Sequence, residues 1–141
     1  MTDATRIAFS GPWAEAWGDA LNHSPSYRTA AATWEGTLVA AAVDADGTLM
    51  AAIYLDVWHG DCRQARAATA ADLEAADFSL AAAPPAWRDL FEGRIAPVMA
   101  LLTGRIQLTK GELTRLLPYG AAAKELMTIA STLETSYPAG W

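Results

Sequence analysis

The feature that most constrains this chain is a change of hydrophobic period at Gly104. Ahead of that glycine, apolar side chains recur every three or four residues, the repeat of helices that bury one stripe. Behind it the period drops to two: Ile106 and Leu108 point one way, Arg105, Gln107 and Thr109 the other, which predicts a half-buried strand over residues 105 to 109. Helix and strand separated by a single glycine require a fold in which helices cover a sheet. Punctuation divides the helical part in two. Pro84 and Pro85 suit a first helical turn, Trp87, Leu90 and Phe91 form one face, and Gly93 caps the end. Ile95, Val98, Met99 and Leu102 then form the predicted inner face of a second helix, with Pro97 in its first turn.

The flanking segments supply the rest of a sheet and its cover. Residues 13 to 22 read as a helix with Trp13, Trp17 and Leu21 on one side. Residues 33 to 43 and 48 to 58 read as a hairpin about Asp46-Gly47, although their alanines also suit helices. Residues 62 to 69 read as a third strand near an edge, with Arg63 or Arg66 toward water. Residues 70 to 75 form a connector with at most a helical turn, and residues 77 to 80 a fourth strand. Beyond Gly111, Leu113, Leu116 and Leu117 face inward as far as Pro118. A last helix carries Ala122, Leu126, Ile129, Ala130 and Leu133 as a wide stripe. The expected layout is an aperiodic arm at residues 1 to 10, one domain at 11 to 135, and a tail at 136 to 141. A chain of 141 residues supports one ordinary domain.

In order along the chain, Asp77-Phe78-Ser79-Leu80, Trp87, Gly93, Pro97, Ala100-Leu101, Gly104-Arg105-Ile106 and Lys110-Gly111-Glu112 resemble the C-terminal half of the sterol carrier protein-2 (nonspecific lipid-transfer) family. The likeness covers residues 76 to 133, with Glu112 where that family commonly has Asp; upstream only the element order agrees. It implies a single α/β (α+β) domain whose five-stranded, mostly antiparallel sheet is covered by helices on one face. It also implies an apolar tunnel between sheet and helices, closed by the C-terminal helix, for a fatty acid, fatty acyl-CoA or sterol-like lipid. On that basis Phe78, Leu80, Met99, Leu102, Ile106, Leu108, Leu126 and Met127 are the expected lining residues. The last helix, with Pro118 as its break, is the expected movable cover.

Composition excludes other functions. A net charge of −6, with ten Lys and Arg in no cluster, supplies no basic face for nucleic acid. No apolar run approaches the ~20 residues of a membrane span, and MTDATRIAFS has no basic n-region followed by a long apolar stretch, so a cytoplasmic protein is expected. Phosphate-binding glycine motifs are missing, and two histidines on separate turns make a poor metal site, so neither cofactor nor metal is expected. His59, Asp61 and Cys62 share one turn and project differently, whereas a nucleophilic triad draws its members from distant segments. No catalytic residue is therefore assigned. The many alanines either leave room for an apolar ligand or reflect genome composition, and the six tryptophans line either a core or a cavity. The leading expectation is a non-catalytic carrier of a hydrophobic small molecule. Its rivals are a structural or homodimerising module with a filled core and an accessory domain of lipid or steroid metabolism.

Overall fold

The computed structural model describes residues 5–141. The chain enters through β1 (Arg6–Ile7), turns at Phe9, and starts α1 (Gly11–Asn22), whose N-cap Ser10 accepts a hydrogen bond from the Trp13 amide. A short helix α2 (Pro25–Ala30), capped in the same way by Ser24, leads to the hairpin of β2 (Glu35–Val43) and β3 (Leu49–Trp58). Its turn is held by the Asp44 carboxylate, which accepts from the amides of Asp46 and Thr48 at 2.9 Å each. Gly47, at φ 81°, takes the left-handed position that side chains avoid.

Then come β4 (Asp61–Ala67), α3 (Ala70–Ala75), β5 (Phe78–Ala82), α4 (Pro84–Phe91) and α5 (Pro97–Leu102). The chain ends with β6 (Gln107–Lys110), α6 (Leu113–Leu116), a 3-10 turn (Leu117–Tyr119), α7 (Gly120–Ser131) and β7 (Thr135–Ser136). Five strands form one sheet in the order β4-β3-β2-β5-β6, with β2 and β5 parallel and the other neighbours antiparallel. The strand following Gly104 begins two residues later than its alternation predicts, because the Ile106 amide bonds the Ala100 carbonyl of α5 instead of a neighbouring strand.

Alternation in β2 separates two apolar layers. Leu38 and Ala42 belong to the main core, while Val39 and Ala41 belong to a smaller cluster behind the sheet. The main helical layer covers one face as expected, and α3, in the segment expected to be a connector, lies behind the sheet on the side of the smaller cluster. β4 and β5 run parallel with two strands between them, so their connection must cross the sheet, and α3 lies on that crossover. Leu73 packs against the rear layer, and its carbonyl accepts the Ser79 hydroxyl at 2.6 Å.

Residues 5–10 and 135–141 pack against the domain. Part of the predicted arm, residues 1 to 4, lies outside the described residues. The rest of it is built in: β1 pairs in parallel with β7, and Phe9 is 3% exposed. The Phe9 ring meets Trp13 at 5.6 Å, Trp87 at 5.6 Å, Phe91 at 6.0 Å and Trp141 at 5.1 Å. The predicted tail therefore closes the aromatic core, and the Arg88 guanidinium stacks on Tyr137 at 4.4 Å. On the opposite flank α1 lies directly on β4: a Cβ at Gly18 would stand 2.5 Å from that of Ala65.

Candidate functional site

Between the front of the sheet and helices α5 and α7 lies an apolar cavity of about 70 Å³. Its floor is Leu38 and Ala40 of β2, Leu55 of β3 and Leu80 of β5. Its cover is Pro97, Val98 and Leu101 of α5, then Ile106, Leu116 and Leu117, then Gly120, Ala123, Leu126 and Met127 of α7. Trp17, Trp34 and Trp87 complete the wall, and no charged side chain takes part. The hollow exists because small residues face one another. Ala40 lies opposite a helix carrying Gly120 and Ala123, and a Cβ at Gly120 would come within 3.0 Å of Val98 Cγ2. Ala40 and Leu80 are register partners on the covered face, yet both keep partial exposure, so the hollow is not fully sealed.

Of the eight expected lining residues, Leu80, Ile106, Leu126 and Met127 reach the cavity. Phe78 is buried outside its wall beneath Arg115, whose guanidinium carbon is 6.0 Å from the ring centre, and Leu108 is half-buried outside it. Met99 and Leu102 are misplaced by the sequence pattern: they are 52% and 61% exposed. The helix is rotated so that Pro97, Ala100 and Leu101 face inward instead. Sequence pattern missed Trp17, Trp34, Leu38, Ala40 and Leu55 upstream, where no motif stood out, and also a larger set in the C-terminal half, among them Trp87, Leu101, Leu116 and Ala123. The tryptophan count was the one usable signal.

Hydrogen bonding within the wall is uneven. The Trp17 indole N–H donates to the Leu126 carbonyl at 3.0 Å and that of Trp87 to the Ala41 carbonyl at 2.8 Å. Trp34 is 2% exposed, stacks on Tyr119 with ring centres 5.3 Å apart and 10° between planes, and its indole N–H has no acceptor.

The turn that holds His59, Asp61 and Cys62 is wired differently from a catalytic relay. His59 Nε2 lies 2.8 Å from a Glu35 carboxylate oxygen, and Asp61 pairs with Arg28. Cys62 is buried beside the Gln64 carbonyl, and burial, with a smaller contribution from Asp56, pushes its thiol up to about 11. At neutral pH that is a thiol and not a thiolate nucleophile. Among the described residues no three His, Cys, Asp or Glu side chains converge as metal ligands, and no helix is long and apolar enough to cross a membrane.

Comparison with known proteins agrees with this geometry. Residues 18–114 match the model of the SCP-2 sterol transfer family. A crystal structure of sterol carrier protein 2 is 39% identical over 89% of this chain and 98% of its own, with a TM-score of 0.79. The solution structure of a conserved hypothetical protein from Thermus thermophilus, described as a candidate sterol carrier protein, is 35% identical over 99% of this chain and all of its own, with a TM-score of 0.78. The apo sterol carrier protein 2 of Yarrowia lipolytica shares the fold at a TM-score of 0.60 and 17% identity, over 92% of this chain and 98% of its own. No curated protein matches. The family match, the two structures of substantial identity and the cavity between sheet and helices coincide on one assignment: the chain belongs to the SCP-2 sterol transfer family.

Proposed function

We propose that the chain is a non-catalytic cytoplasmic carrier that holds a fatty acyl or sterol-like lipid between the sheet and helices α5 and α7, without a cofactor. The observation that carries this reading is the wall: every cavity residue is apolar or aromatic, and no nucleophile, base or charge faces the space. Such a site binds by removing hydrocarbon from water. About ten methylenes at ~0.8 kcal/mol each gain ~8 kcal/mol. Lost freedom of the partners subtracts several kcal/mol, which leaves affinity near micromolar or weaker. The volume of about 70 Å³ is below the ~150 Å³ of an apolar cavity that admits benzene. Loading therefore requires one wall to move outward. The same small volume favours a second reading, a structural or homodimerising module whose core stays shut.

Displacement of a fluorescent fatty acid, with native mass spectrometry of freshly purified protein, separates the two. The carrier reading expects saturable binding and a co-purified lipid. A protein that takes up no hydrocarbon ligand and carries none is a structural module.

A further inference from the structure

The tryptophans divide by what their indole N–H groups do. Trp13 donates to the Thr135 hydroxyl at 2.9 Å, Trp17 and Trp87 to main-chain carbonyls, and each is at most 1% exposed. A fold that finds acceptors for these three deeply buried indoles leaves a fourth, Trp34, without one. Buried donors are seldom left unpaired, because the hydrogen bond they made to water is lost with nothing in exchange. Trp34 shares the cavity wall with Trp17 and Trp87 and differs from both in its unpaired N–H. Its plane is fixed by the stack on Tyr119, whose hydroxyl is itself held by the Thr33 carbonyl at 3.3 Å. The other buried polar atom without a partner among the described residues, the Tyr27 hydroxyl, does not line the cavity.

We infer that Trp34 is the specificity residue of the cavity: its indole N–H receives a neutral oxygen acceptor, a ketone, ester or hydroxyl, carried on the buried part of the ligand. The inference rests on the carrier reading and narrows it. Neutrality follows from the wall. An ionised carboxylate could accept from the same N–H, but it would sit among apolar side chains with no cation to compensate its lost hydration. An acidic or phosphate-bearing headgroup therefore stays at the surface, and the part that enters is hydrocarbon bearing an uncharged oxygen. A plain hydrocarbon fits the same space and leaves Trp34 as it is in the empty protein. Trp34 thus offsets the desolvation cost by which an apolar cavity alone would reject such an uncharged oxygen.

The test compares a long-chain methyl ketone with the alkane of equal length, each displacing a fluorescent lipid from wild type and from Trp34→Phe, which keeps an aromatic ring against Tyr119. Because the ketone oxygen must give up its water and a methylene need not, the readout is the ketone-to-alkane affinity ratio, which is expected to fall about tenfold from wild type to Trp34→Phe, the value of one hydrogen bond. Because Trp34→Phe perturbs a buried site, the wild-type protein is also followed by the indole N–H resonances of its tryptophans. The Trp34 proton is expected to move downfield with ketone and not with alkane, while those of Trp13, Trp17 and Trp87 remain hydrogen-bonded throughout. A ketone-to-alkane ratio that is the same in wild type and Trp34→Phe, with an unmoved Trp34 proton, overturns the inference and leaves the carrier reading intact. If neither compound binds, the carrier reading falls and the inference with it.

Discussion

Filling the cavity from its floor should stabilise the protein and abolish loading. Ala40 is the residue to enlarge, because it lies in a central strand, faces the hollow and takes a β-compatible Leu without moving a helix. Two magnitudes bound the gain. A residual hollow of about 70 Å³ at ~24 cal/mol per Å³ corresponds to ~1.7 kcal/mol. The added carbons of Ala40→Leu, at ~0.8 kcal/mol each, gain ~2.4 kcal/mol, less ~0.5–1 kcal/mol of rotamer freedom. Both estimates fall at ~1–2 kcal/mol of added stability. At about 4 °C per kcal/mol for a domain of this size, the melting temperature rises by ~4–8 °C. The same leucine occupies the space that the first carbons of a ligand would take, so displacement of a fluorescent fatty acid should weaken by more than about tenfold, each factor of ten being ~1.4 kcal/mol. Paired calorimetry and displacement decide the matter. A stabilised Ala40→Leu that binds as tightly as wild type places the ligand elsewhere. One that loses more than ~1 kcal/mol shows that the hollow cannot accept a side chain from Ala40.

Phe9→Ala should cost ~3–5 kcal/mol in urea unfolding, because it removes a ring that touches four others; a loss below ~1 kcal/mol would mean that the N-terminal segment is held only by its short ladder with β7. Cys62, buried and with its thiol pushed up to about 11, should resist alkylation at neutral pH until the protein unfolds, so labelling followed against denaturant should track the unfolding curve. Rapid labelling of the native protein would contradict that burial. Amide hydrogen exchange should be faster in α5 than at Leu126 and Ala130 of α7, and the reverse order would make α7 the wall that opens.

Sequence pattern reveals period well and phase poorly here, and α5 shows why. Its six residues, PVMALL, are all apolar, so the spacing fits a helix in any rotation and Met99 and Leu102 satisfy the inward stripe as well as Ala100 and Leu101 do. The rotation is chosen by tertiary contacts: Ala100 is small enough to sit fully buried, while the long Met99 and Leu102 side chains are left outside. The hairpin was legible because Asp44, Asp46 and Gly47 carry their own turn chemistry. What could not be read are pairings set by distant segments. Arg6 opposite Thr135, Phe9 against Trp141 and the crossover of α3 behind the sheet depend on strand order, to which no local signal refers. Of the expected lining residues outside the cavity wall, Met99 and Leu102 lie outside because α5 is rotated, and Phe78 and Leu108 because their place on the sheet is set by strand order.

A larger ligand is expected to open the cavity at α5 rather than at the C-terminal helix. Pro118 suggests a break at which α7 could swing, but the proline sits inside the 3-10 turn that runs into α7 with Gly120 at helical angles. That turn is pinned by the stack of Tyr119 on Trp34, and α7 is fastened by the Trp17 bond to the Leu126 carbonyl and by packing against α1, α2, α4 and α5. Swinging α7 would break a buried hydrogen bond and uncover Leu126 and Ala130 together. α5 has fewer ties. It spans six residues, far short of the ~12–15 that an isolated helix needs, has no side-chain N-cap, and lies between glycines at φ 77° and 79°. Met99 and Leu102 already face water, so an outward shift newly exposes little more than Pro97, Val98, Ala100 and Leu101. That costs a few kcal/mol at ~25 cal/mol per Å². A lipid that enters then covers the same carbons from inside, so much of the opening cost is recovered on loading and only the empty protein bears it. So small a hollow and a carrier role are therefore compatible, with α5 as the wall that yields.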